Sequence, residues 1–187
     1  YQVIRNLPLL KQDNGTIASG KKIILYQGAI NEARGLEYLI PAMKQVDALL
    51  HIYGDGNFAR QANAIIRVNN LGEKVFINKQ LLPGELDRVT QQAYIGVNLV
   101  ENIGLNQYYS LANKFFDYIQ HGIPQVSMNY PEYKKINQQY HIALLIDELK
   151  VSTVETAIMQ LLSDEKLYTE LKENCLEAKK ELNWQQE

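Results

Sequence analysis

The chain has 187 residues, 46% of them hydrophobic and 21% charged, and a formal charge of −2. Those proportions belong to an ordinary soluble globular protein with one domain and a substantial core. The near-neutral charge, without any run of Lys or Arg, excludes an electrostatic case for nucleic acid, and the single Cys175 excludes an internal disulfide or a cysteine metal site.

In chain order, Ile23-Ile-Leu-Tyr26 is a short apolar run followed by Gly28, the pattern of a buried parallel strand. Gly35 to Lys44 reads as a helix, with Leu36, Leu39, Ile40 and Met43 at helical spacing. Ala48 to Tyr53 is the second predicted strand, closed by Gly54-Asp-Gly56, and Ala59 to Leu71 the next helix. Val75 to Ile77 is a third strand, followed by a helix from Glu85 to Ala93 behind Pro83-Gly84. Ile95 to Val100 is the fourth strand. A polar loop with one cation, Ser110 to Lys114, then starts an amphipathic helix that His121-Gly122-Ile-Pro124 ends. Pro124 to Met128 and Ile142 to Ile146 are the fifth and sixth strands, with Pro131 to Gln139 helical between them. Val154 to Leu162 and Lys166 to Leu182 are two closing helices. Six strands alternating with helices, joined by right-handed crossovers, predict an α/β fold, a doubly wound parallel (Rossmann-like) sheet with C-terminal closing helices. Residues 1–20 stand outside the alternation, with turns expected at Asn14-Gly15 and Ser19-Gly20; residues 21–163 form the expected domain and 164–187 a C-terminal helix.

In such a sheet the ligand crevice lies beyond the C-terminal strand ends, between strands 1 and 4 if the order is 3-2-1-4-5-6. The loops there are Gly28 to Gly35, with Arg34, and Ser110 to Lys114. Two cations plus the free amides of a helix start suit a diphosphate, because Arg binds bidentately and Lys adds a compact charge. Asp117, three residues after Lys114, shares its helix face and offers a hydroxyl acceptor; a surface ion pair is the alternative reading of the two. The histidines lack metal-ligand spacing: His51 reads as a core histidine, His121 as a helix end, His141 as a loop residue. Ser127 lacks the Gly-x-Ser-x-Gly context of a hydrolase. The helix from Glu165 reads as a solvated helix with a packed leucine stripe.

Ser110-Leu-Ala-Asn-Lys-Phe-Phe-Asp-Tyr118, with Gly122-Ile-Pro124, resembles the nucleotide-sugar site of the C-terminal domain of GT-B glycosyltransferases, especially the retaining group 1, or family 4. Members often read Ser-Leu-Pro-Asn-Lys-x-Phe-Glu-Tyr; here Ala112 replaces the Pro and Asp117 the Glu. Val3-Ile-Arg-Asn-Leu-Pro8 resembles the family's interdomain linker. The family's Gly-Arg-x-x-x-x-Lys-Gly keeps Gly28 and has Arg34-Gly35 at its second basic position, but Ala29 at its first. In its Glu-x7-Glu motif the second acid, which holds the ribose hydroxyls, falls on Asp117; the first, which contacts the donor sugar, falls on Tyr109, and Glu101 is out of register. Gly54 matches the strand-Gly-x-Gly turn, and Gln80, Leu81 and Leu82 match the loop that cradles the base.

The resemblance implies a nucleoside-diphosphate-sugar donor, with Arg34 and Lys114 as the catalytic cations steadying its diphosphate. Donor contacts fall on Gly28, Ala29, Gly54, Gln80, Leu81, Leu82, Ser110, Leu111, Ala112, Asn113 and Asp117. It implies no protein nucleophile, metal or cofactor, and as partner an N-terminal acceptor-binding domain. A start at Tyr1 without Met reads as a fragment, and because the chain has room for only one of the two GT-B domains, efficient transfer by this polypeptide alone is not expected. With no apolar run of spanning length and no leader, the expected location is cytoplasmic, with membrane association only through missing parts. A nucleotide-sugar epimerase of the same architecture, or a non-catalytic domain that binds nucleotide or a partner, are the alternatives; the absent cation at Ala29 and Tyr109 in place of an acid favour the latter.

Overall fold

Apolar runs of four or five residues, too short for a stable helix and flanked by glycine or polar loops, form six strands in the computed structural model, which describes residues 5–11 and 20–187. The elements are β1 (Ile23–Gln27), α1 (Leu36–Ala42), β2 (Leu49–Tyr53), α2 (Ala59–Val68), β3 (Val75–Asn78), α3 (Pro83–Thr90) and β4 (Ile95–Asn98). They continue as α4 (Leu105–Tyr108), α5 (Asn113–Gln120), β5 (Gln125–Met128), α6 (Pro131–Tyr140), β6 (Ala143–Ile146), α7 (Val151–Ser163) and α8 (Glu165–Ala178). All strand pairs are parallel and the order is β3-β2-β1-β4-β5-β6. The strand order therefore reverses between β1 and β4, which opens a crevice beyond their C-terminal ends.

The inner strands β4 and β5 are buried at every position because helices cover both faces. Ile24, Tyr26, Ile95, Val97 and Val126 belong to the main core, into which α1, α7 and α8 send Leu39, Ile40, Val154, Ile158, Leu171 and Cys175. Leu25 faces the other way, with Ala93, Tyr118 and Ile123. The charge-rich α8 is amphipathic and packs on α5 and α7. Cys175 is buried, with burial pushing its thiol pKa up. Among the described residues no helix is long and apolar enough to cross a membrane.

Several element ends differ from the sequence pattern. β4 stops at Asn98 rather than Val100, and the polar loop after it contains the one-turn helix α4 that the pattern did not indicate. The α3 helix begins at Pro83, before the expected Glu85, because proline suits a first turn and the Glu85 carboxylate accepts a 3.1 Å hydrogen bond from the Leu82 amide. The α8 helix ends at Ala178, and residues 179–182 continue as turns that still bury Leu182. Val3 of the linker motif, Asn14-Gly15 and Ser19 lie outside the described residues; Arg5 to Lys11 run alongside the C-terminal segment, with Arg5 paired to Glu187 at 2.8 Å and the Trp184 amide donating to the Pro8 carbonyl.

The crossing of β4 beneath α5 requires a residue without a side chain. A Cβ on Gly96 would overlap the ring of Tyr118, whose hydroxyl is fixed by donating to the Leu25 carbonyl at 2.9 Å. Gly96→Ala is therefore expected to cost about 1–3 kcal/mol, the range for overpacking a core. Denaturant midpoints against wild type check this.

Candidate functional site

The loops after β1 and β2 continue the parallel ladder past the strands. Gly28 donates to the Tyr53 carbonyl at 3.0 Å, Ile30 to that of Asp55 at 2.9 Å, and Phe58 back to that of Ile30 at 2.9 Å. A Cβ on Gly54 would collide with the Gly28 carbonyl, so glycine is what lets the two backbones meet. The resulting floor carries a cavity of about 210 Å³ lined by Gly28, Ala29, Tyr53, Gly54, Asp55, Gln80, Leu81 and Leu86. Five of the sequence-derived residues thus share one cavity. Leu82 does not reach it: it caps α3 and is 72% exposed.

Lys114, in the first turn of α5, reaches across to the same floor. Its ammonium stands 3.7 Å from the centre of the Tyr26 ring, and its Nζ lies 3.6 Å from where a Gly28 Cβ would be. Tyr26 is buried and its hydroxyl donates to the Ala29 carbonyl at 2.6 Å, so one ring supports both the loop and the cation. The Lys114 side chain keeps some contact with solvent, yet its amine is enclosed; desolvation, then repulsion from Arg34, brings its pKa down to about 7 against the pull of Asp117. Neither Lys114 nor Arg34 is in an ion pair with a carboxylate of the described residues. Two cations thus face each other across the switch point of the sheet.

The polar loop before α5 is used differently. Ser110 turns its hydroxyl to the Gln107 carbonyl at 2.9 Å, Leu111 faces another groove, the Ala112 amide donates to Tyr133 Oη at 3.0 Å, and Asn113 Oδ1 accepts from Asn6 at 3.0 Å. Phe115 closes a turn onto the Ala112 carbonyl. What this helix start leaves open is the pair of backbone amides at Asn113 and Lys114, which donate to no described residue. Asp117, one turn on, accepts from Gln27 Nε2 at 3.0 Å. Burial raises its carboxyl to about pKa 6, opposed by the Gln27 hydrogen bond and by Lys11 and Lys114.

Several neighbours of the site carried no sequence signal beyond their place at a strand end: Tyr26 and Gln27 close β1, and Tyr53 closes β2. Glu101 lies next to the Arg34 loop, its amide donating to the Ala33 carbonyl at 3.0 Å. Burial and the carboxyl of Glu37 beside it raise its pKa, so two acids face each other there. Tyr109, by contrast, is 55% exposed and lines a separate 720 Å³ groove with Leu111, α6 and Arg5. The histidines are engaged elsewhere: His51 lies against Tyr53 and Phe76, His121 pairs with Asp87 at 2.9 Å, and His141 with Glu170 at 2.9 Å.

The sequence profile of the glycosyl transferases, group 1, matches residues 10–178. No curated protein matches the sequence. Among solved structures, sucrose-phosphate synthase from Thermosynechococcus elongatus superposes with a TM-score of 0.72 at 22% identity, covering 88% of this chain and 42% of that one. A mutant of S. aureus TarM, in complex with Fondaparinux, alpha-GlcNAc-glycerol and UDP, gives 0.73 at 16% identity, over 94% and 35% of the two chains. The C-terminal domain of a group 1 family glycosyl transferase, LpcC from Francisella tularensis, gives 0.68 at 14% identity over 86% and 85%. The chain therefore spans less than half the length of the first two and most of an isolated C-terminal domain.

The Lys114 environment has a consequence for stability. Its pKa is about 7 when folded against an ordinary 10.5 when unfolded, so between these values the unfolded chain holds the extra proton and stability rises with pH. Below that window the cost is fully present. Asp117 acts with the opposite sign between 3.8 and about 6, where the folded state holds the proton. Lys114→Met is expected to stabilise the ligand-free protein at neutral pH, and a gain of about 1 kcal/mol would raise Tm by about 2–4 °C. Melting curves across the neutral-to-alkaline range should show the advantage shrinking as pH rises.

Proposed function

The chain belongs to the glycosyl transferases, group 1, a GT-B family, and we propose that it is the half that binds a nucleoside-diphosphate sugar. The observation that carries the proposal is the pair of unpaired cations, Arg34 and Lys114, facing each other at the switch point beside the open amides of α5. A ligand with two adjacent phosphates relieves that repulsion, and at a desolvated site charge-assisted bonds to it are strong. The 210 Å³ cavity beside Gly54 and Leu81 takes the base, and Asp117 takes ribose hydroxyls. A uridine nucleotide is the first probe to use, since TarM of the same fold holds UDP.

In the transfer reaction the bond between the sugar anomeric carbon and the diphosphate oxygen breaks, and an acceptor hydroxyl oxygen bonds to that carbon while its proton passes to the departing diphosphate. Negative charge grows on the departing diphosphate, where Arg34 and Lys114 stabilise it electrostatically. No metal, cofactor or protein nucleophile enters this scheme. The acceptor belongs to a further, N-terminal domain, so this polypeptide alone binds donor without efficient transfer, in the cytoplasm. One observation favours a second reading, a nucleotide-binding domain without turnover: Ala29 brings no cation to the cavity lining, and Tyr109 faces the other groove.

Calorimetry should show nucleoside diphosphate binding more tightly than monophosphate. Arg34→Ala and Lys114→Ala should each lose roughly 1.5–3 kcal/mol, about ten- to a hundredfold, with the free nucleoside little affected. Absence of binding by uridine, guanosine and adenosine diphosphates at millimolar concentration would overturn the reading.

Asp117→Asn keeps one acceptor oxygen and loses the charge. It should weaken ribonucleotide binding more than binding of the 2′-deoxy analogue, a coupling that a double-mutant-style cycle measures. Equal and small effects on both ligands would reduce Asp117 to a helical partner of Lys114.

A further inference from the structure

Asp117 does not stand in the crevice by itself. Its Oδ2 accepts from Gln27 Nε2 at 3.0 Å, and Gln27 Oε1 lies 2.8 Å from Thr90 Oγ1. Gln27 is 3% exposed and Thr90 1%, so this row of side chains runs through the interior from the C-terminal end of α3, across the last residue of β1, to α5. Asp117 Oδ1 makes no hydrogen bond with a described residue.

The protons along the row have one consistent direction when Asp117 is ionised. A carboxylate only accepts, so the Gln27 amide turns its NH₂ to Asp117 and its carbonyl to Thr90. The Thr90 hydroxyl, with the Leu86 carbonyl also 2.8 Å away, then gives its one proton to Gln27. Gln27 cannot rotate away, since its own polar groups would be left buried and unmatched. We infer that Gln27, braced by Thr90, is a positioning residue for diol recognition: it fixes one oxygen of Asp117 and keeps the group ionised, so that the other oxygen can accept from vicinal hydroxyls of a ribose.

The charge environment is consistent with that assignment. The groups facing Asp117 are Gln27 from β1, Lys114 from its own helix, Lys11 from the leading segment and Asp87 from α3, which itself pairs with Lys11 at 2.8 Å and with His121. Burial and Asp87 favour the protonated acid; Gln27, Lys11 and Lys114 oppose them, Gln27 being the largest of the opposing influences. Without the amide donor, Asp117 drifts toward the neutral acid, a poorer acceptor for hydroxyls.

The inference rests on the nucleotide reading of the site, and its test has one arm that does not. In the ligand-free chain, carbon-detected NMR of the Asp117 carboxyl should give a midpoint of about 6, moved upward in Gln27→Leu and Thr90→Val and unmoved in Thr90→Ser, which keeps the hydroxyl. In the second arm, uridine diphosphate should bind Gln27→Leu and Thr90→Val about three- to tenfold more weakly than wild type at neutral pH, the gap to wild type closing as the pH is raised. The 2′-deoxy analogue, which keeps only the 3′ hydroxyl, should be weakened distinctly less in each variant, and its binding also reports that they fold. A merely structural role would weaken both ligands equally and leave the midpoint in place. That result, or an unmoved midpoint in both variants, overturns the inference. A shifted midpoint in a wild-type background that binds no nucleoside diphosphate would leave the buried relay standing, but would overturn the ribose assignment together with the donor reading.

Discussion

Lys114 lying over the ring of Tyr26 is the contact around which the crevice is arranged. The ring is buried at the end of β1, and its hydroxyl holds the Ala29 carbonyl, so the loop after β1 and the cation from α5 take their positions from one side chain. Tyr26 does for Lys114 what a carboxylate does elsewhere, but more weakly: a cation–π contact is worth about 0.5–2 kcal/mol and adds no opposing charge of its own. An acid in its place would neutralise the lysine and close the site to anions. Desolvation, together with repulsion from Arg34 on the opposing loop, makes the protonated lysine costly in the unliganded crevice.

The sheet and its order were legible in the sequence because strands buried on both faces read as unbroken apolar runs, as at Ile23–Tyr26 and Ile95–Val100, and helices between them enforce right-handed crossovers. The crevice followed from topology alone, and with it the convergence of the Gly28 and Lys114 loops, whereas Gln80 was placed there by the resemblance. What was not legible is direction. Ser110, Leu111 and Asn113 sit where the motif puts them, yet their side chains turn to Gln107, to the groove beside α6 and to Asn6. Helix α4 had no apolar periodicity to reveal it, and Leu82 points outward because its backbone is occupied in starting α3. Gln27 and Thr90 carry no motif; only the register of β1 against α3 and α5 shows that they meet Asp117.

Local rules are broken where the site is and kept elsewhere. In α8 the charges are solvated and the leucines packed, and Asp164 caps the helix by accepting from the Leu167 amide at 2.9 Å, so sequence and structure agree at each level. In the crevice a lysine is enclosed without an ion pair, a carboxyl is buried far enough to titrate near pH 6, and two further acids, Glu37 and Glu101, face one another. Each raises the free energy of the empty fold, and the main hydrophobic core offsets them.

The two departures from the family pattern separate physically. Ala29 lies in the lining of the small cavity and brings no charge to it, so in the proposed reading Lys114 and Arg34 are the two cations left for a diphosphate. Tyr109 has left the crevice altogether. It stacks edge-on against Tyr108, 5.0 Å between centres, and Tyr108 in turn leans on Tyr130, whose hydroxyl holds the Val100 carbonyl. The loop after β4 is thus anchored by aromatic packing, with its acid, Glu101, drawn back to the Arg34 loop and Glu37. In the same reading, the residues assigned to phosphate and ribose stand on β1 and α5 and are braced from the end of α3, apart from this aromatic loop. The loop and the crevice are anchored independently, because no hydrogen bond connects Tyr108 or Tyr109 to Gln27, Lys114 or Asp117 among the described residues.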